Sequence, residues 1–301
     1  MPPISKLLAG YRKLQPLPTG VTPQLNRHQD PPVRLILFDV YGTLLVSASG
    51  DIDQVELTPE KLIAAAAPFK LPFPVDRDFF AFVMEKYRHT VTAAWQAQRS
   101  DTRPYPEIDI LAIWSQLLEE LYAEGRLTAL PDPDEQRRIA MVFELCTNPV
   151  TPMPGMKETL AALRAAGIEL GIVSNAQFYT PVILHYFLNG TWSDRPELDA
   201  WFDPELCVFS YRERRAKPDR KLFDRVSRVI AVRNIPAAET LFVGNDVRKD
   251  LIPAAAAGFG SVLFAGDARS LRLYRDDPAV AAFRPDYTIT ALEQLQKVCQ
   301  L

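Results

Sequence analysis

From Pro152 onward, short runs of branched and aromatic apolar residues alternate with segments of helical length, and this narrows the available folds more than any other feature. IELGIVSNA, LCVFS, TLFVGND, SVLFAG and YTI are strand-length runs. Between them lie GMKETLAALRAAG, with Gly167 placed to cap its C-terminus, a helical pattern near residues 219–231, and another ending at Gly258. Upstream, VRLILFDVYGTLL reads as a further strand closed by the Gly42-Thr43 turn. Strands covered on both faces are apolar throughout, and strands alternating with helices pair in parallel. The expectation is an α/β fold built on a doubly wound parallel sheet, with ligands beyond the carboxyl ends of its strands.

Two stretches break the pattern. Residues 1–32 carry seven of the 26 prolines, a density that argues against long helices and sheet pairing and suggests an arm. Residues 59–146 have helical apolar patterning, with Ile108, Leu111, Ser115, Leu118 and Tyr122 at steps of three and four. The expected division is a Pro-rich arm at 1–32, an α/β core at 33–48 and 150–301, and a helical unit at 49–149. A length of 301 residues allows such a two-part architecture.

The remaining composition excludes several classes of partner. A formal charge of −3 and a pI near 5.8 supply no basic face for nucleic acid. No apolar run reaches the roughly 20 residues of a membrane span, and the N-terminus has no signal-peptide core, so a cytoplasmic location and no membrane partner are expected. Cys146, Cys207 and Cys299 fit neither a disulfide framework nor a zinc spacing, and His28, His89 and His185 form no ligand set.

Four polar segments follow strand-like runs or lead helices: FDVYGTLL, IVSNAQ, RRAKPDRKLF and LFVGNDVRKD. Each alone has an ordinary explanation as a strand-end acid, a turn, a surface lysine or a helix N-cap. Together, in this order, they resemble the haloacid dehalogenase-like hydrolase superfamily. DVYGTLL matches its first motif, VSNA its second, AKPDRKLF its third and VGNDVRKD its acidic fourth. The resemblance covers residues 34–46 and about 152–290 and implies a Rossmann-like core. The 135 positions between Asp39 and Ser174 are similar to that family's all-helical cap inserted after motif one.

The resemblance implies that Asp39 is a nucleophile forming a covalent aspartyl intermediate, with Lys217 neutralising it. Thr43, Ser174 and Asn175 would bind the transferring group. Asp39, Asp246 and Asp250, with the Tyr41 carbonyl, would hold Mg²⁺, a hard cation satisfied by few carboxylates and several waters. The substrate would be a small phosphorylated molecule.

Two positions depart from the phosphatase pattern. Tyr41 stands where family phosphatases carry an acid–base Asp, and Asn245 stands where many carry the first motif-four Asp. Tyr41 is similar to the superfamily's metal-independent 2-haloacid dehalogenases, whereas the acidic fourth motif favours Mg²⁺. Three readings therefore stay open. The first is a Mg²⁺-dependent phosphatase with Glu85 or His89 supplying the proton. The second is a dehalogenase using Arg77, Arg88, Arg99 or Arg103, and the third is a weakly active binding member of the family.

Overall fold

A computed structural model describes residues 4–11, 14–25, 32–49, 63, 66–69, 71–72 and 76–301. Six parallel strands form the main sheet among these residues, in the order β5-β4-β1-β6-β7-β8. They are β1 (Leu35–Phe38), β4 (Glu169–Ser174), β5 (Cys207–Phe209), β6 (Thr240–Gly244), β7 (Gly260–Phe264) and β8 (Tyr287–Ile289). The first strand is fully buried and alternates between two cores. Ile36 and Phe38 join the apolar cluster on one face, and Leu35 and Leu37 the cluster on the other. Covering both faces explains why this strand reads as uninterrupted apolar sequence.

Chain order reverses at β1, which pairs with β4 on one side and β6 on the other. In such sheets ligand sites lie beyond the carboxyl ends of the strands at the point of reversal. The motif at residues 39–45, the Ser174 loop and the acidic turn after β6 all follow the carboxyl ends of β1, β4 and β6.

A second, antiparallel ribbon pairs β2 (Leu45–Ser47) with β3 (Val150–Pro152) and was not legible in the sequence. These strands have only three residues each, too short for periodicity to reveal. They bracket the helical insertion: α2 (Arg77–Gln98), α3 (Ile110–Ala123) and α4 (Pro133–Thr147), after α1 (Ser5–Gly10) in the arm. Each of these three helices opens on an aspartate whose carboxylate accepts a first-turn N–H: Asp76 from Phe79, Asp109 from Leu111 and Asp132 from Glu135. Trp114 and Phe143 meet edge to face at 4.7 Å, and Tyr87 packs against both. Much of the insertion before Arg77 lies outside the described residues.

Helix α3 corrects the apolar stripe expected from its sequence. The buried side chains are Ile110, Ile113, Trp114, Leu117, Leu118 and Leu121, and Tyr122 is 47% exposed. Apolar residues surround most of this helix, so spacing alone does not fix its phase; enclosure of Trp114 does. The arm also departs from expectation. Gln24 forms an antiparallel bridge with Thr288, exchanging both N–H···O bonds at 2.8 and 2.9 Å. Leu8 of α1 is buried, and the Tyr11 hydroxyl donates to the Leu145 carbonyl of α4 at 2.8 Å. Proline density leaves room for these contacts because Ser5–Gly10 and Gln24 are proline-free.

The core continues through α5 (Met156–Ala165), α6 (Thr180–Asn189), α7 (Ser210–Glu213), α8 (Lys221–Val232), α9 (Ile252–Ala256), α10 (Pro278–Ala281) and α11 (Gln294–Val298). Gly167 adopts φ +80° just beyond α5, as its predicted capping role requires. The predicted helix ending at Gly258 is shorter than its pattern, because Val247–Leu251 forms a π-type turn before α9. No described helix is long and apolar enough to cross a membrane.

Candidate active site

Asp39 follows β1 and is only 7% exposed. Its Oδ1 accepts from Lys217 Nζ at 2.7 Å and from Ser174 Oγ at 2.9 Å; Oδ2 receives no hydrogen bond among the described residues. Lys217 Nζ also donates to Asp250 Oδ1 at 2.5 Å, and Asp250 Oδ2 accepts the Asp246 N–H at 3.1 Å. Four side chains from separate segments thus form one buried cluster. A lone buried charge is expensive, so each depends on the others.

Two carboxylates, Asp39 and Asp250, share one ammonium, and the charge of Asp246 lies near enough to act on Asp250. Burial opposes the charge on Lys217, but Asp250 and Asp39 outweigh it and raise its pKa. Burial also pushes the Asp250 carboxyl up, with Asp39 and Asp246 adding to the shift against the opposing pull of Lys217. Negative charge in the cluster is therefore only partly compensated.

Glycine makes the approach possible. A Cβ on Gly244 would lie 2.4 Å from Asp250 Oδ2, so only a bare backbone lets that carboxylate fold under the end of β6. Gly42 adopts φ +82°, and a Cβ there would meet Ser270 Cβ at 2.4 Å and Asn245 Nδ2 at 2.6 Å.

The other candidate residues occupy different places. Thr43 is fully buried and its hydroxyl donates to Asn245 Oδ1 at 3.1 Å, while Asn245 Nδ2 donates to the Ser270 carbonyl at 2.6 Å. Asn175 grips the backbone of Lys217 at both ends: its Oδ1 accepts the Lys217 N–H at 2.6 Å, and its Nδ2 donates to the Lys217 carbonyl at 3.3 Å. The Asp246 carboxylate turns to its own loop, accepting from the Lys249 N–H and the Tyr274 hydroxyl, each at 2.7 Å. Asp246 thus meets the central cluster through its N–H. Among the described residues no group of three His, Cys, Asp or Glu is arranged around a common metal position.

Tyr41 is directed away from base chemistry. Its hydroxyl shares a 2.9 Å hydrogen bond with Thr180 Oγ1. Burial first, then the charge of Glu144, pushes its pKa above the ordinary phenol range. Glu85 and His89 line a groove of about 700 Å³ between α2 and α3 with Phe82, Lys86, Gln116 and Glu120, and no member of the Asp39 cluster lines it. Arg99 stacks on Trp95, 5.0 Å from the ring centroid.

Sequence reasoning missed Ser270 and Tyr274, which hold Asn245 and Asp246, and Glu107, Gln177 and Ser210, which join the insertion to the core. Ser210 and Gln177 carried a signal, as the polar residues closing LCVFS and IVSNAQ. The others become neighbours only on folding. Burial pushes Glu107 up to about 7 although Ser210 and Gln177 donate to it, and burial pushes Glu144 up to about 7 against a hydrogen bond from Tyr179.

Several solved structures are similar to this chain. A 2-haloacid dehalogenase structure from Pseudomonas syringae pv. tomato superposes with a TM-score of 0.52 at 19% identity, over 89% of this chain and 98% of that one. An L-2-haloacid dehalogenase from Xanthobacter autotrophicus with chloropropionic acid covalently bound gives 0.45 at 21% identity, over 89% and 98%. A predicted phosphoglycolate phosphatase from Haemophilus somnus gives 0.46 at 19%, over 88% and 97%. No curated protein sequence matches the chain. The family model for haloacid dehalogenase-like hydrolases matches residues 33–258, and with that match the chain belongs to the haloacid dehalogenase-like hydrolase family.

Proposed function

We propose that the protein is a Mg²⁺-assisted phosphatase of a small phosphorylated molecule, with Asp39 as nucleophile. The observation that carries this reading is the charge imbalance at Asp39 and Asp250, which share the single ammonium of Lys217 while the charge of Asp246 adds to the repulsion on Asp250. A hard cation bound by one or two carboxylates and several waters fits that donor set. Asp39 and Asp250, with the Tyr41 carbonyl, would hold it. Asp246 enters this reading as the residue that fixes the turn, because its carboxylate is bonded to Lys249 and Tyr274 and, among the described residues, not to the Asp39 cluster. When bound, the cation supplies positive charge to the oxygens of the transferring group.

The chain's own residues account for the remaining steps. Lys217 and Ser174 both bond Oδ1 of Asp39, which orients the carboxylate and leaves Oδ2 to attack. Attack forms an Asp39–phosphorus bond as the ester oxygen departs with its electron pair; water then cleaves the aspartyl phosphate. Lys217 provides fixed positive charge as negative charge gathers, at no cost in reorganisation. Asn175 and Thr43 support the site through Lys217 and Asn245, and the helical insertion serves as a cap that excludes water.

A dehalogenase remains the second reading, favoured by Tyr41, since a halide leaves without a proton. The two are separated by assaying an aryl phosphate with and without Mg²⁺, and a 2-chloroacid without metal. Mg²⁺-dependent phosphate release that vanishes in Asp39→Asn supports the first. Metal-free chloride release supports the second and overturns the first.

A further inference from the structure

The helical insertion reaches the catalytic lysine through the connecting segment, residues 102–108, between α2 and α3. This segment runs beside the chain that leads into Lys217. Arg215 Nη1 donates to the Thr102 carbonyl at 2.9 Å, the Ala216 N–H to the Tyr105 carbonyl at 2.9 Å, and the Glu107 N–H to the Arg214 carbonyl at 3.3 Å. Pro106 and Arg215 form an antiparallel bridge. The ladder ends one residue before Lys217.

Glu107 adds a second attachment on the other side. Its Oε2 accepts from Ser210 Oγ at 2.5 Å, and the same hydroxyl accepts the Ala176 N–H at 2.8 Å. Its Oε1 accepts from Gln177 Nε2 at 2.9 Å. Gln177 is itself tied back to the insertion, donating to the Ile108 carbonyl at 2.8 Å and accepting the Ile110 N–H at 3.3 Å. Between these anchors sits Asn175, which grips Lys217 from both ends.

We propose that Glu107 is a positioning residue: by fixing Ala176 and Gln177 it sets Asn175, and through Asn175 it aligns Lys217 with Asp39 when the insertion is docked. One carboxylate accepts from two core side chains that flank the Asn175 turn, so loss of docking loosens the site without touching a catalytic group. The inference rests on Lys217 serving the Asp39 centre and is indifferent to whether phosphate or halide departs.

The test is hydrogen exchange resolved to single amides on the full chain, for wild type, Glu107→Gln and Glu107→Ala. In Glu107→Ala the Ala176 and Lys217 amides exchange at least tenfold faster, while Leu35–Phe38 and Thr240–Gly244 keep wild-type protection. Glu107→Gln retains one acceptor and falls between; it serves alone if Glu107→Ala does not fold. Faster exchange confined to residues 102–110, with Ala176 and Lys217 unchanged, would show a mere foothold and overturn the proposal. On an aryl phosphate, Glu107→Ala lowers kcat about tenfold to a hundredfold with little change in KM. It lowers kcat no further in an Asn175→Ala background; additive losses would also overturn it. Exchange needs no substrate, so a chain inert towards aryl phosphate would count against the phosphatase reading alone.

Discussion

Lys217 Nζ lies 2.5 Å from Asp250 Oδ1 and holds that carboxylate and Asp39 at once. Removing the ammonium would leave two buried carboxylates facing each other. Lys217→Met is therefore expected to cost about 3–5 kcal/mol, the usual penalty for stranding a buried charge. Adding Asp250→Asn should recover part of that loss. Urea unfolding of the single and double variants checks both expectations, and a double variant less stable than Lys217→Met would contradict the account.

Mg²⁺ is expected to stabilise the folded protein by mass action, by about 2.7 kcal/mol at a hundredfold excess over Kd. Asp250→Asn should abolish the rise in melting temperature. Asp246→Asn should retain a rise while lowering the baseline, because Asp246 accepts the Lys249 N–H in its own turn. Melting curves with and without Mg²⁺ decide this, and an unshifted wild type would count against a cation site.

Leaving-group dependence probes Tyr41. With its hydroxyl on Thr180 and its pKa driven up, Tyr41 cannot protonate a departing alkoxide as a carboxylic acid would. Turnover of aryl phosphates should exceed that of alkyl phosphates by about 10²- to 10⁴-fold, the typical contribution of a positioned acid. Equal rates at saturating Mg²⁺ would show that another group supplies the proton.

Glu144 should make stability depend on pH. Burial raises its pKa from 4.5 to about 7, so the folded chain holds this proton more tightly than the unfolded chain. The resulting stabilisation is complete below about pH 4.5 and is lost as pH rises through 7. Glu144→Gln removes the ionisation. It should unfold at higher urea than wild type at pH 8, by about 1–3 kcal/mol, and show a much smaller difference at pH 5. Equal midpoints at pH 8 would mean that water reaches the carboxylate.

Sequence alone determined the parallel α/β core, because strands covered on both faces must be apolar throughout and helices must return the chain between them. The Asp39 and Lys217 segments were legible as well, since polar residues ending or following buried strands stand out against their surroundings. Only the tertiary structure decided which groups share a hydrogen bond. Asn175 faces the Lys217 backbone, Asp246 faces Lys249 and Tyr274, and Glu107 bridges to Ser210 across 103 positions. The phase of α3 was equally hidden, because spacing cannot choose a face on a helix apolar nearly all round. Residue type and spacing record what a segment can bury; which partner satisfies each buried polar atom depends on contacts between distant segments, which exist only once the chain has closed.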